Sequence, residues 1–271
     1  MNKKYNLLSI LFVAFTATLF VGCAAEEDYE PGNPRPGVAT YATNSNCMIV
    51  NASPGSRLPI EVPPVTNFAI NNIVVTNTAT PPVALEYLYL NNPTYRGILA
   101  TPQTQLRFTN QNASGASLAS SNVNVVQGRS YSAFLIDTLK RAAGQRIIFV
   151  EDNLAAPSSG NAHIRFFHFS PNAPEVKVVN AGAPGTPIVF SARRYAETSR
   201  RVGSTTTNFN NFSAIPAGTY NLQVQVNSNN APVLDINGLN LVAGKIYTIY
   251  ARGLVNGGTG QELGATVILH N

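Results

Sequence analysis

Apolar and polar residues alternate with a period of two along much of this chain. Tyr220, Leu222, Val224 and Val226 are separated by Asn221, Gln223, Gln225 and Asn227, which sets the four apolar side chains on one face of a strand. Leu106 and Phe108 alternate in the same way with Gln105, Arg107 and Thr109. Tyr131 to Ile136 and Ile246 to Tyr250 are rich in β-branched and aromatic residues, as near-central strands are. Turn signals such as Gln127-Gly128, Pro216-Ala217-Gly218 and Ala243-Gly244 break these runs. Helical periodicity is almost absent, with at most a turn or two over 137–143. The pattern predicts an all-β chain of antiparallel two-sheet sandwiches with immunoglobulin-like character.

The sandwich is predicted twice, because the chain repeats. Ile49-Val50-Asn51-Ala52-Ser53-Pro54 aligns with Phe166-Phe167-His168-Phe169-Ser170-Pro171, the two Ser-Pro pairs lying 117 residues apart. Val125-Val126-Gln127-Gly128-Arg129-Ser130-Tyr131 aligns with Leu241-Val242-Ala243-Gly244-Lys245-Ile246-Tyr247 at an offset of 116. The expected organisation is a signal peptide over 1–22, a tether over 23–45, a first sandwich over 46–153, a short flexible connection over 154–161 and a second sandwich over 162–271.

The first of these segments is read from charge and length. Lys3 and Lys4 precede an apolar stretch from Leu7 to Phe20, which is too short to span a bilayer as a stable helix and is patterned as an export signal. It closes on Phe20-Val21-Gly22-Cys23, which resembles the lipobox of bacterial lipoproteins, with Phe20 where Leu is usual. Cys23 is the expected site of lipidation by diacylglycerol and palmitate, giving an outer-membrane lipoprotein of the cell envelope whose membrane partner is reached through that lipid. Cys47 then has no cysteine left to pair with, and inside Met48-Ile49-Val50 it reads as a buried small hydrophobe.

Glu26, Glu27, Asp28 and Glu30 follow Cys23 at once; beyond residue 30, sixteen Lys and Arg face nine acids, a balance of +7. Two readings of the acidic run stand open: a signal for the outer face of the outer membrane, or a solvated tether. Export makes nucleic acid an unsuitable partner for the basic body.

At His163-Ile164-Arg165-Phe166-Phe167-His168-Phe169-Ser170-Pro171-Asn172-Ala173-Pro174 the chain resembles a secreted bacterial module, domain of unknown function 4397. Ile215-Pro216-Ala217-Gly218-Thr219-Tyr220 and Ala243-Gly244-Lys245-Ile246-Tyr247-Thr248 are similar to its later signature. The resemblance is clearest in the second half, with Asn172 in place of the usual Asp. The first half is a degenerate copy, having Asn51 for the His and Gly55-Ser56 after its Ser-Pro pair. The resemblance implies an envelope-located β-sandwich. In this block Pro171 ends or bulges a strand, Ser170 and Asn172 bond turn amides, and His168 fastens the turn through a ring nitrogen.

Signatures of catalysis are thin. His163 and His168 are five apart on one strand and point to opposite faces, so they share no metal, and no cofactor motif is present. Asp137, Glu151, Asp152, Glu175, Glu197 and Asp235 are spread along the chain. The expectation is a protein without catalytic residues, with a carboxylate-pair hydrolase as the remote alternative.

Two features suit binding. Arg193, Arg194, Arg200 and Arg201 bracket Tyr195, a set for an anionic glycan or an acidic protein; the competing reading is a solvated edge kept soluble by charge. Tyr87, Tyr89 and Tyr95 around Asn91-Asn92-Pro93 form an aromatic, amide-rich loop of the kind that stacks on sugars, or core. The expected function is a surface binding or adhesion module. The alternative is a structural subunit of a surface fibre in which an edge strand is exchanged between copies.

Overall fold

The structure is a computed structural model, and it describes residues 45–54, 66–70, 73–74, 93, 95–110, 117–138 and 144–271. All regular structure among these residues is β, apart from single turns.

The first copy contributes β1 (Ser45–Asn51), β2 (Thr66–Ile70), β3 (Ile73–Val74), β4 (Tyr95–Ile98), β5 (Thr104–Asn110), β6 (Ser117–Val123), β7 (Ser130–Ile136) and β8 (Arg146–Asp152). They make two sheets, ordered β4-β1-β7-β8 and β3-β2-β5-β6.

The second copy contributes β9 (Asn161–His168), β10 (Val176–Asn180), β11 (Ile188–Arg193), β12 (Ser199–Val202), β13 (Thr205–Asn208), β14 (Ser213–Pro216), β15 (Gly218–Val226), β16 (Pro232–Leu241), β17 (Ile246–Arg252) and β18 (Gly264–Leu269). Its sheets are ordered β14-β9-β17-β18 and β11-β10-β15-β16, so strand for strand the two copies share one topology. The hairpin β12-β13 forms a two-stranded sheet of its own.

Small details repeat along with the topology. The Tyr131 hydroxyl accepts from the Val126 amide at 2.9 Å, and the Tyr247 hydroxyl accepts from the Val242 amide at 3.1 Å. Asp137 and Gly253, at equivalent strand exits, both take positive φ, 76° and 85°. Gly253 allows nothing larger, because a Cβ there would lie 2.0 Å from the Glu262 carbonyl oxygen.

The sheets are not purely antiparallel. β1 pairs with β7 in parallel, Asn46 opposite Ser130, and β9 pairs with β17 in parallel, His163 opposite Ile246. Between each such pair the chain crosses to the facing sheet, so no hairpin forces opposite directions.

Each copy encloses a core between its two sheets. Ile49, Leu106, Phe108, Tyr131 and Leu135 are central to the first; Ile164, Phe166, Val178, Leu222 and Ile249 to the second. The alternation along β15 has its expected effect, since Leu222 and Val224 are buried.

A third core joins the copies, and residues 41–271 form one compact unit. The outer faces of the β4-β1-β7-β8 and β14-β9-β17-β18 sheets meet through Met48, Val50, Phe134, Ile136, Phe167, Phe169, Tyr250 and Ile268. Phe134 is fully buried and meets the rings of Phe167, Phe169 and Tyr250 at 5.7, 5.1 and 5.9 Å between centroids. The aromatic, β-branched runs of β7 and β17 now have their explanation. These strands face a sandwich core on one side and the seam on the other, so polar alternation is lost.

Candidate functional site

The concentration of polar chemistry among the described residues lies inside the seam, at the level of Met48 and Arg165. Arg165 and Asp152 are wholly buried there and form an ion pair at 2.6 Å. Arg165 also donates from Nε to the Thr248 hydroxyl at 2.8 Å and from Nη1 to the Asn210 carbonyl at 3.2 Å. Its guanidinium lies 4.3 Å from the Phe212 ring centroid and 5.0 Å from that of Phe167.

From Thr248 the network runs on and closes. The Thr248 hydroxyl lies 2.7 Å from His270 Nε2, and Tyr95 Oη lies 2.7 Å from His270 Nδ1. Tyr95 donates to Asp152 Oδ2 at 2.6 Å, and Ser132 donates to the same oxygen at 2.7 Å. The donor directions are mutually consistent when His270 is neutral with its proton on Nδ1. Arg165 then donates to Thr248, Thr248 to His270, His270 to Tyr95 and Tyr95 to Asp152, which also receives Arg165.

A hydroxyl on an imidazole is also part of a nucleophilic site, but there a carboxylate holds the imidazole directly, whereas here the Tyr95 phenol stands between His270 and Asp152. Here Thr248 is fully buried and its oxygen already takes the Arg165 Nε proton. The geometry therefore serves cohesion between the copies.

Burial holds the seam's titrating groups away from their ordinary values. His270 is pulled down to about 4, chiefly by burial, with Asp152 opposing the shift and Arg165 adding to it. Burial and the Asp152 carboxylate push the Tyr95 phenol up. Burial lowers Arg165, against the opposing pull of Asp152.

Stability has a pH signature as a result. A histidine whose folded value lies below its unfolded 6.5 leaves the unfolded chain binding more protons between about 4 and 6.5. Its contribution is complete above 6.5 and is lost as pH falls towards 4, by roughly 3 kcal/mol in all. Urea unfolding of the wild type against His270→Gln across this window should show the steeper acid loss in the wild type; equal slopes would refute it.

The Ser-Pro turn of the second copy is tied down by His168, which is buried. His168 Nδ1 accepts from the Ser170 amide at 3.4 Å, so Nε2 donates to the Pro174 carbonyl at 3.0 Å. Burial keeps the imidazole below its ordinary pKa, although the backbone carbonyls of Pro174 and Ala173 oppose the shift. Asn172 exchanges two hydrogen bonds with Val255, both at 2.9 Å. In the first copy Ser53 donates to the Asp137 carbonyl and accepts from Gln145 at 2.5 Å. The expected bond from Ser170 to a turn amide is not formed: its hydroxyl is buried and takes no protein partner.

The five residues of the arginine cluster are divided by the structure. Arg193 is buried with its guanidinium 3.5 Å from the Phe209 ring centroid, and burial chiefly pulls its pKa down to about 10. Tyr195 packs against the seam core with the Arg146 guanidinium 5.2 Å from its ring centroid, so it docks one copy on the other. Arg200 is neutralised by Glu197 at 2.5 Å and Glu175 at 2.6 Å. Burial alone would raise the Glu197 carboxyl, but the Arg200 guanidinium and the Arg194 amide hold it below its usual range.

Arg194 and Arg201 face outward. The Arg194 side chain is 73% exposed and lies 3.4 Å from Glu175; Arg201 donates from Nε to the Gly203 carbonyl at 3.0 Å. All of β13 and the tip Val202–Ser204 are exposed beside Arg201.

Other expected sites fall elsewhere. Cys23, Tyr87 and Tyr89 lie outside the described residues. Tyr95 belongs to the seam, not to a sugar-stacking surface, because its hydroxyl is engaged by Asp152 and His270. Cys47 is fully buried and burial raises its thiol, which makes it unreactive. Among the described residues no group of His, Cys, Asp and Glu has the proximity to hold a metal ion. Arg165 was the seam residue most open to discovery from sequence, as a cation within the apolar run Ile164-Arg165-Phe166-Phe167.

Paired sheets around apolar cores, with the polar ring sealed between them, define an all-β sandwich protein. The model of the family described as domain of unknown function (DUF4397) matches residues 45–179, and the chain belongs to this family over that stretch. The match covers the first copy and continues through β9 into β10, so the copy with the degenerate Ser-Pro block is included. No curated protein matches the chain. Among solved structures, it is similar to a candidate cell adhesion protein from Bacteroides fragilis NCTC 9343 at 8% identity and a TM-score of 0.18, over 83% of this chain and 97% of that one. A score that low describes no common superposition.

Proposed function

We propose that this is a non-catalytic, lipid-anchored protein of the outer membrane that binds an anionic glycan or an acidic protein through the exposed hairpin of its second sandwich. The observation that carries the reading is the division of charge around β12-β13. The seam uses its polar groups internally, whereas Arg194 and Arg201 are directed to solvent beside a fully exposed strand. Exposed guanidiniums on a two-stranded hairpin and on the loop that leads into it suit sulfate, phosphate or carboxylate groups. The anchor rests on Cys23 and the export signal before it; no helix among the described residues is long and apolar enough to cross a membrane, which says nothing of β-barrels.

Two experiments test the two parts. On an array of anionic glycans and acidic peptides, Arg194→Ala with Arg201→Ala should weaken binding by about tenfold or more, the worth of one or two charge-assisted contacts. Undiminished binding would remove the arginine site. Cys23→Ser should shift the protein from the membrane to the soluble fraction, and retention in the membrane would remove the anchor.

A further inference from the structure

The copies face each other across the seam through equivalent strands, and the registers identify which residues occupy equivalent places. Met48 lies opposite Ser132 and Tyr95, and Arg165 opposite Thr248, with Phe212 next in register beyond β14. Ser130 pairs with Asp152, and the His270 amide donates to the Ile246 carbonyl at 2.9 Å. The equivalent pairs are thus Met48 and Arg165, Tyr95 and Phe212, Ser132 and Thr248, Asp152 and His270. At three of the four the chemistry differs, Ser132 and Thr248 both being hydroxyls. The first copy supplies the carboxylate and the phenol; the second supplies the guanidinium and the imidazole.

The apolar part of the same face carries no such distinction. Val50 and Phe167, Phe134 and Tyr250, and Val150 and Ile268 are equivalent pairs of hydrophobes. Shape and apolar area alone would let a first sandwich meet another first sandwich, since the two faces share one strand topology. The polar level forbids it. Two first sandwiches would bury Asp152 against a second Asp152 with no cation between them. Two second sandwiches would bury two copies of Arg165 with no carboxylate. The mixed pair alone closes the hydrogen-bonded circuit and balances the charge.

We infer that Arg165, Asp152, His270 and Tyr95 form a recognition key that pairs the first sandwich with the second and rejects pairing between like sandwiches of two chains. The key keeps the protein monomeric although its two sandwiches carry related apolar faces. This inference is independent of what the hairpin binds.

The test uses the full chain, with hydrogen–deuterium exchange followed in β8, β9 and β18 and light scattering after size exclusion over a range of concentrations. Wild type should be monomeric throughout. Arg165→Met, which installs the residue of the equivalent place, should leave Asp152 buried without its cation and speed exchange in those strands by roughly a hundredfold or more. Exchange equal to wild type would overturn the key.

Adding Asp152→Asn to Arg165→Met removes both charges and should return exchange to within about tenfold of wild type, because Asn still accepts from Tyr95 and Ser132. With nothing left to reject like pairing, that double variant should form dimers in proportion to concentration by exchanging halves about residues 153–160. A double variant that exchanges as fast as the single one, fails to fold, or stays monomeric at every concentration overturns the inference. If Arg165→Met alone does not fold, the double variant decides the matter by itself.

Discussion

Asp152→Ala should lower the free energy of unfolding by roughly 3–5 kcal/mol, the cost of leaving one partner of a buried pair without its counter-charge. Arg165 would keep its bonds to Thr248 and to main-chain carbonyls but lose the carboxylate that meets it at 2.6 Å. Tyr95 and Ser132 would each lose an acceptor as well. The adjacent residue provides a control on the same strand. Glu151 pairs with Arg129 at 2.7 Å, with about half of each side chain exposed, so Glu151→Ala should cost less than about 1 kcal/mol. Urea denaturation of the two variants measures both, and similar losses would show that burial of the pair is not what matters.

Phe134→Ala is expected to cost a comparable amount, roughly 3–5 kcal/mol, through lost apolar burial and the cavity left behind. Phe134 belongs to the first copy, but three of its ring contacts, with Phe167, Phe169 and Tyr250, are to the second. The loss should therefore be felt by both copies at once. Fluorescence and exchange probes placed in either sandwich should report one shared transition, displaced to lower denaturant. Two transitions, with the second copy at its wild-type midpoint, would show that the seam does not couple them.

Strand placement was legible because alternation and turn residues act locally. The alternating stretch Tyr220 to Val226 marks β15, and Leu106 and Phe108 mark β5. The repeat was legible for a related reason: Ser-Pro turns and the tyrosine bonds to Val126 and Val242 fix the same backbone twice. The seam was not read, although it left traces. Tyr131 to Ile136 and Ile246 to Tyr250 lack polar alternation because both faces are covered, a pattern that a single sandwich open to water does not need.

The polar ring was less accessible still. Tyr95, Asp152, Arg165, Thr248 and His270 are spread over 175 residues between Tyr95 and His270. Nothing local in the sequence pairs an acid ending β8 with an arginine inside β9. In the arginine cluster, spacing grouped the side chains correctly along the chain but gave no indication of which would turn inward. Phe209 captures Arg193, and Glu175, distant in sequence, captures Arg200.

The parallel pairing of β1 with β7 carries a mechanical consequence. The polypeptide enters the body through β1, which lies between β4 and β7 and is bonded on both sides. Tension applied to the segment before Ser45, against a load carried at the far loops, pulls along the strand axis. Interstrand bonds on both flanks then bear that force together in shear, and none can be peeled away ahead of the others. A strand at the sheet margin, pulled across its length, would open bond by bond at much lower force. Pulling along β1 therefore loads its bonds to β4 and β7 together.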